Sequence, residues 1–130
     1  MGTRARIGIK NLDGSILSVY HHWDGYPSWL GKKLREKYNT RESIIELISG
    51  GDISTLESKH DWNLNPIEPR PLYYSERGEN CPAQSAGNFQ GYIDQTRSCG
   101  GEFCYLFRNG KWEAFEIISS NLARSVDIPS

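Results

Sequence analysis

The hydrophobic pattern along the chain starts with a period of two. Residues Ala5 to Lys10 alternate around Ile7 and Ile9, and Ile16 to His22 form a second β-rich run. Between them, Asn11-Leu12-Asp13-Gly14 supplies turn chemistry, so the two runs predict an antiparallel hairpin. Alternation sets Leu17, Val19 and His21 on one face of the second strand and Ile16, Tyr20 and His22 on the other.

The period then lengthens. Pro27 and Ser28 open a helix with Ser28 as its N-cap, and Trp29 or Leu30, Leu34 and Tyr38 recur at helical spacing. Lys32, Lys33, Arg35 and Lys37 fill much of the opposite side. Thr40 caps a second helix through Ile44, Ile45, Leu47 and Ile48, which stops at Gly50-Gly51. Asp52 to Leu56 is expected to pack as a turn. Residues 57–71, with Pro66, Pro69 and Pro71, read as a surface loop.

Leu72-Tyr73-Tyr74 is a short strand, followed by a charged bend at Ser75 to Glu79. Phe89, Tyr92 and Ile93 share a weak helical face diluted by Gly87, Gly91, Gly100 and Gly101. Glu102 to Arg108 and Lys111 to Ile117 flank Asn109-Gly110, the strongest hairpin signal in the chain. From Ile118 onward the chain is mostly polar, with Leu122, Val126 and Ile128 spaced as a loose helical turn. The expected architecture is α+β: a mainly antiparallel sheet of two hairpins plus one short strand, with two or three short helices on one face. Residues 1–130 form a single domain, of which 118–130 are a partly ordered tail.

Composition narrows the partners. Fifteen basic against sixteen acidic residues give a net charge of −1, so nucleic acid is not expected as a partner. No apolar stretch approaches the ~20 residues of a membrane span, and the N-terminal Met-Gly-Thr-Arg-Ala-Arg lacks the apolar segment of a signal peptide. A cytoplasmic protein with no membrane partner is expected. Cys81, Cys99 and Cys104 are an odd set without paired spacing, which reads as free thiols, and neither a metal nor a cofactor is expected.

Chemistry concentrates between Val19 and Trp29. Those residues hold two of the three histidines, two of the four tryptophans and two of the seven tyrosines. The corner fits three readings. It is a packed strand end, in which Trp23 and Tyr26 bury rings and Asp24 bonds the turn. Alternatively, His22 oriented by Asp24 is the centre of a small hydrolase or metal-dependent enzyme acting on a phosphorylated or nucleotide substrate. On the third reading, backbone N–H groups at Gly25 and the helix start, with Lys32, Lys33 and Arg77, cradle an anion while Trp23, Tyr26 and Trp29 stack on it. No nucleophile elbow, phosphate loop or dinucleotide fingerprint occurs in the sequence. Phe107, Trp112 and Phe115 exceed what a small core readily buries, which suggests self-association through a hairpin edge.

Five segments carry a resemblance: Arg6-Ile7-Gly8-Ile9, Asp13-Gly14-Ser15-Ile16, Tyr20-x-His22-Trp23-Asp24-Gly25-Tyr26-Pro27, Gly50 to Leu56, and Tyr74-x-x-Arg77-Gly78-Glu79. Together they resemble a family of small uncharacterised proteins encoded by bacteriophages and prophages. The resemblance implies an accessory role, counter-defence or host takeover, exercised by binding a small anionic or nucleotide-like ligand or a host protein. It marks His22, Trp23, Asp24, Gly25, Tyr26, Pro27, Arg77, Gly78 and Glu79 as motif positions. With Trp29, the expected ligand-binding set is His22, Trp23, Asp24, Gly25, Tyr26, Trp29, Arg77 and Glu79.

Overall fold

The computed structural model describes residues 3–120 and 122–129. One sheet of eight strands organises them, in the order β4-β3-β2-β1-β6-β7-β8, with β5 also paired to β2. The strands are β1 (Ala5–Lys10), β2 (Ile16–His21), β3 (Ile53–His60), β4 (Pro66–Tyr73), β5 (Gln84–Ala86), β6 (Phe103–Arg108), β7 (Lys111–Ser119) and β8 (Leu122–Val126). The helices are α1 (Lys32–Lys37), α2 (Arg41–Ser49) and α3 (Phe89–Ser98).

The fold is α+β, but the sheet is mixed where a mainly antiparallel one was expected. β1 lies antiparallel to β2 and parallel to β6, and β2 meets β3 in parallel through His21 and Ile53. The first hairpin returns to the sheet beside the last, so a strand separated by almost the whole chain becomes its neighbour. Period-two reading finds strands but not partners.

Both expected hairpins form. In the last, Asn109 and Gly110 have φ of 55° and 77°, the two positive values that a type I′ turn requires. Thr40 caps α2 as expected: its Oγ1 accepts from Ser43 N, and Ser43 Oγ accepts from Thr40 N. The first helix starts differently. Tyr26, not Ser28, stands at the cap without a side-chain hydrogen bond, and Pro27–Gly31 wind as a π-helical turn into α1.

Helices cover both faces, not one. Ile7, Ile9, Val19, Tyr105 and Phe107 pack against Leu30, Leu34, Ile44, Leu47 and Ile48 from the α1–α2 side. On the other face Ile16, Cys104, Leu106 and Phe115 pack with Tyr92 of α3. The Tyr92 hydroxyl donates to Tyr105 O at 2.6 Å, and a Cβ on Gly8 would lie 2.8 Å from that hydroxyl. Gly8 is therefore the slot into which α3 settles.

Residues 52–71, expected as a turn and a loop, are instead the β3–β4 hairpin. Its prolines are tolerated because β4 is an edge strand, where an absent N–H leaves no neighbour unpaired, and the β3–β4 register slips at three places. Asp61 orders the tip by accepting from Asn63 N and Asn65 N, both at 2.9 Å. The chain end also differs from expectation. Leu122–Val126 pairs with β7 as the opposite, proline-free border of the sheet instead of forming a helical turn, while residues 121 and 130 of the expected tail lie outside the described residues. Phe107, Trp112 and Phe115 are buried, at 7%, 9% and 8% exposure, so they give no ground for self-association.

His21 ties the sheet to its inner core. It is fully buried, Leu56 N donates to its Nε2 at 2.9 Å, and Nδ1 has no partner. Burial pushes this imidazole down from 6.5 to about 3, with the neighbouring His22 adding to the shift. The unfolded chain therefore binds a proton that the folded one refuses between those values. Stability should be intact above pH 6.5 and fall by roughly 1.4 kcal/mol per pH unit below it through this group. Urea unfolding at pH 7, 5.5 and 4.5 measures the slope, and His21→Gln should flatten it.

Candidate functional site

The corner after β2 exists because the outer edge of β2 has two partners. β5 pairs only with Ile16 to Ser18, and β3 engages only from His21. In the gap between them, Tyr20 N donates to the Asp52 carboxylate at 2.9 Å. Beyond the strand, His22 N and Trp23 N donate to Ile53 O and Ser54 O at 3.1 and 3.0 Å, so the chain continues along β3. Asp24 then turns it with φ of 54°. Gly25 N donates to Thr3 O at 2.7 Å, and the buried Tyr105 hydroxyl donates to Gly25 O at 2.6 Å. A Cβ on Gly25 would stand 2.6 Å from Thr3 O, which explains glycine there.

Alternation separates the histidines as the sequence predicts. His21 joins the inner core, whereas His22 shares the α3 face with Tyr20. The Tyr20 hydroxyl and His22 Nδ1 are 2.6 Å apart. Burial raises the Tyr20 phenol to about 12 and lowers the His22 imidazole, with Arg4 assisting on His22. A phenol that keeps its proton and an imidazole that resists one assign the bond: the hydroxyl donates to Nδ1, and the ring proton sits on Nε2. His22 thus presents a neutral donor, and neither nitrogen is free to take a proton.

Two arginines face the same side. Arg6 lies across from Tyr20 in the β1–β2 register, and continuing that register by one residue sets Arg4 across from His22. Arg6 is 3% exposed and donates from Nε to Ser18 Oγ at 2.9 Å and from Nη2 to Ser18 O at 3.1 Å. Among the described residues, neither Arg4 nor Arg6 forms a salt bridge. Asp52 acts on Arg6 electrostatically, but burial raises the Asp52 carboxyl above its usual range.

A second group of rings comes from the β3–β4 hairpin and the turn after it. Arg77 lies 4.2 Å over the Trp62 ring and 5.3 Å from the Tyr74 ring, and its Nε donates to Glu79 at 2.7 Å. Trp62 Nε1 donates to Tyr73 O at 2.8 Å, folding the hairpin tip back onto this stack. Tyr74 and Asp52 act electrostatically on Tyr20, which links the stack to the Tyr20–His22 pair.

Of the expected residues, His22 and Trp23 form the exposed end of the corner, their rings edge-on at 4.7 Å and Trp23 45% exposed. Asp24 and Tyr26 are exposed, Gly25 is an architectural hinge, and Arg77 and Glu79 belong to the Trp62 stack. Trp29 turns to the other face, 6.2 Å from the His21 ring and under Lys33. The helix start is no anion cradle. Gly25 N is committed to Thr3, Trp29 N and Leu30 N close on Tyr26 O, and Lys33 pairs with Glu57 at 2.7 Å. Sequence reasoning missed Arg4, Arg6, Tyr20, Asp52, Trp62 and Tyr74. Arginines alternating with Ile7 and Ile9 on a predicted strand were the available signal for two of them.

No group of three or more His, Cys, Asp or Glu side chains is placed to hold a metal among the described residues. Nor is any helix of those residues long and apolar enough to cross a membrane. Comparison with known proteins finds no matching family model, curated protein or solved structure.

The tautomer is directly testable. Nitrogen-15 NMR of the imidazole should place the His22 proton on Nε2, and Tyr20→Phe should raise the His22 pKa toward 6.5 by removing the donor that favours the neutral ring. A proton found on Nδ1 sinks the assignment.

Proposed function

We propose that this chain is a phage-type accessory protein that works in the host cytoplasm by retaining an anionic, nucleotide-like ligand at the Tyr20–His22 corner without turning it over. The role is counter-defence or host takeover by sequestration. One observation carries the preference for binding over catalysis: the Tyr20 hydroxyl occupies His22 Nδ1 at 2.6 Å. General-base chemistry needs an imidazole lone pair within reach of substrate, and here the remaining nitrogen carries the proton. The runner-up hydrolase centred on His22 and Asp24 lacks its base for that reason. What the corner offers is an exposed Trp23 ring, a neutral N–H donor and arginines without salt bridges, which suit recognition.

Incubation with a panel of nucleotides, followed by native mass spectrometry and chromatography of the supernatant, tests the reading. The expected result is stoichiometric retention of an intact ligand. Trp23→Ala should weaken that retention about tenfold, or ~1.4 kcal/mol, with little change in melting temperature because the ring is largely exposed. Conversion of any panel member to product would overturn sequestration in favour of the enzyme.

A further inference from the structure

We infer that the site recognises the phosphate group of a nucleotide between Arg4, Arg6 and the Nε2–H of His22, with the base stacked on Trp23. This deepens the proposed function and rests on it. The argument starts from two adjacent cross-strand pairs on one face of the sheet. Arg6 stands opposite Tyr20, and the next step of the same register brings Arg4 opposite His22. Directly opposed residues on neighbouring strands hold their Cβ atoms about 5 Å apart, so two guanidinium groups, a phenol and an imidazole occupy one small area.

Charge identifies what this area takes. Arg6 is almost wholly buried, yet its two hydrogen bonds go to the neutral Ser18. A buried cation with no salt bridge is costly, and an arriving anion removes that cost. The Asp52 carboxylate is the nearest candidate counter-ion, but its Oδ1 is committed to Tyr20 N. Arg4, at the rim, has no salt bridge either, and it acts electrostatically on both Tyr20 and His22. The neutral His22 ring adds a donor without adding a positive charge, which suits the several acceptor oxygens of a phosphate.

Trp23 supplies the second half. Its ring meets His22 edge-on at 4.7 Å, leaving its face toward solvent at 45% exposure. A planar heterocycle attached to a phosphate held by His22 would find that face within a nucleotide's length. Because stacking is tolerant of base identity, the phosphate sets the affinity and the ring adds to it.

The test measures binding of four nucleoside 5′-monophosphates, their nucleosides, inorganic phosphate and a short single-stranded oligonucleotide to the full chain, by calorimetry and Trp fluorescence. Monophosphates should bind at least tenfold tighter than nucleosides, and inorganic phosphate should displace them. Arg4→Gln, an exposed position chosen so that folding survives, should weaken monophosphate binding about tenfold and leave nucleoside binding unchanged. Trp23→Ala should weaken both. Stronger, salt-sensitive binding of the oligonucleotide supports the same phosphate site with a nucleic-acid chain as the source. Nucleosides binding as tightly as monophosphates, without competition from phosphate, would overturn this inference while leaving ligand retention intact. Failure of every probe to bind, with the chain folded, overturns both.

Discussion

Everything at the candidate site depends on how one strand edge is shared. β2 is central, yet its outer edge is paired by β5 at one end and by β3 at the other, and the Asp52 carboxylate takes the Tyr20 N–H in the stretch between. A side-chain acceptor does there what a neighbouring carbonyl does elsewhere in the sheet. β2 is thus held straight up to His21, and the chain can leave along β3 with His22 and Trp23 at the surface. The Asp52 carboxyl is half-buried for this service, which is why its pKa rises despite the arginine nearby.

The same arrangement divides labour between two neighbouring histidines. His21 is a neutral acceptor inside the core, bonded through Nε2 to the backbone of β3, whereas His22 is a neutral donor at the surface, bonded through Nδ1 to a phenol. Opposite tautomers follow from opposite faces of one strand. Desolvation dominates both shifts, so neither ring is charged near neutrality, and positive charge at the corner comes from arginine alone. Arginine keeps its charge and its planar geometry at any physiological pH, which makes the corner's charge insensitive to acidity.

Much of this was legible in the chain. The first and last hairpins, the Thr40 cap and the division of His21 from His22 all follow from local pattern, because turn chemistry and alternation are local properties. Tertiary context decided the rest. Pro66, Pro69 and Pro71 argue against a strand unless that strand lies at an edge, and edge position is not written locally. Helices on both faces follow from β1 being buried on both sides, which Arg6 disguises by placing a charged residue in the core. At the site, His22 and Trp23 were conspicuous by composition, but Trp62 and Tyr74 arrive from a hairpin that read as loop. Trp29 was drawn into the candidate set by proximity in sequence, although the turn at Asp24 and Gly25 sends it to the opposite face.

The borders of the sheet are unequal, and that inequality limits how the molecule can grow. β4 presents prolines and a slipping register, whereas β8 presents five residues without proline. A strand from another molecule has one open place to join, not two. Once two copies meet there, both remaining margins of the extended sheet are the obstructed kind. Propagation halts at the pair, so the asymmetry acts as a stopper against fibres.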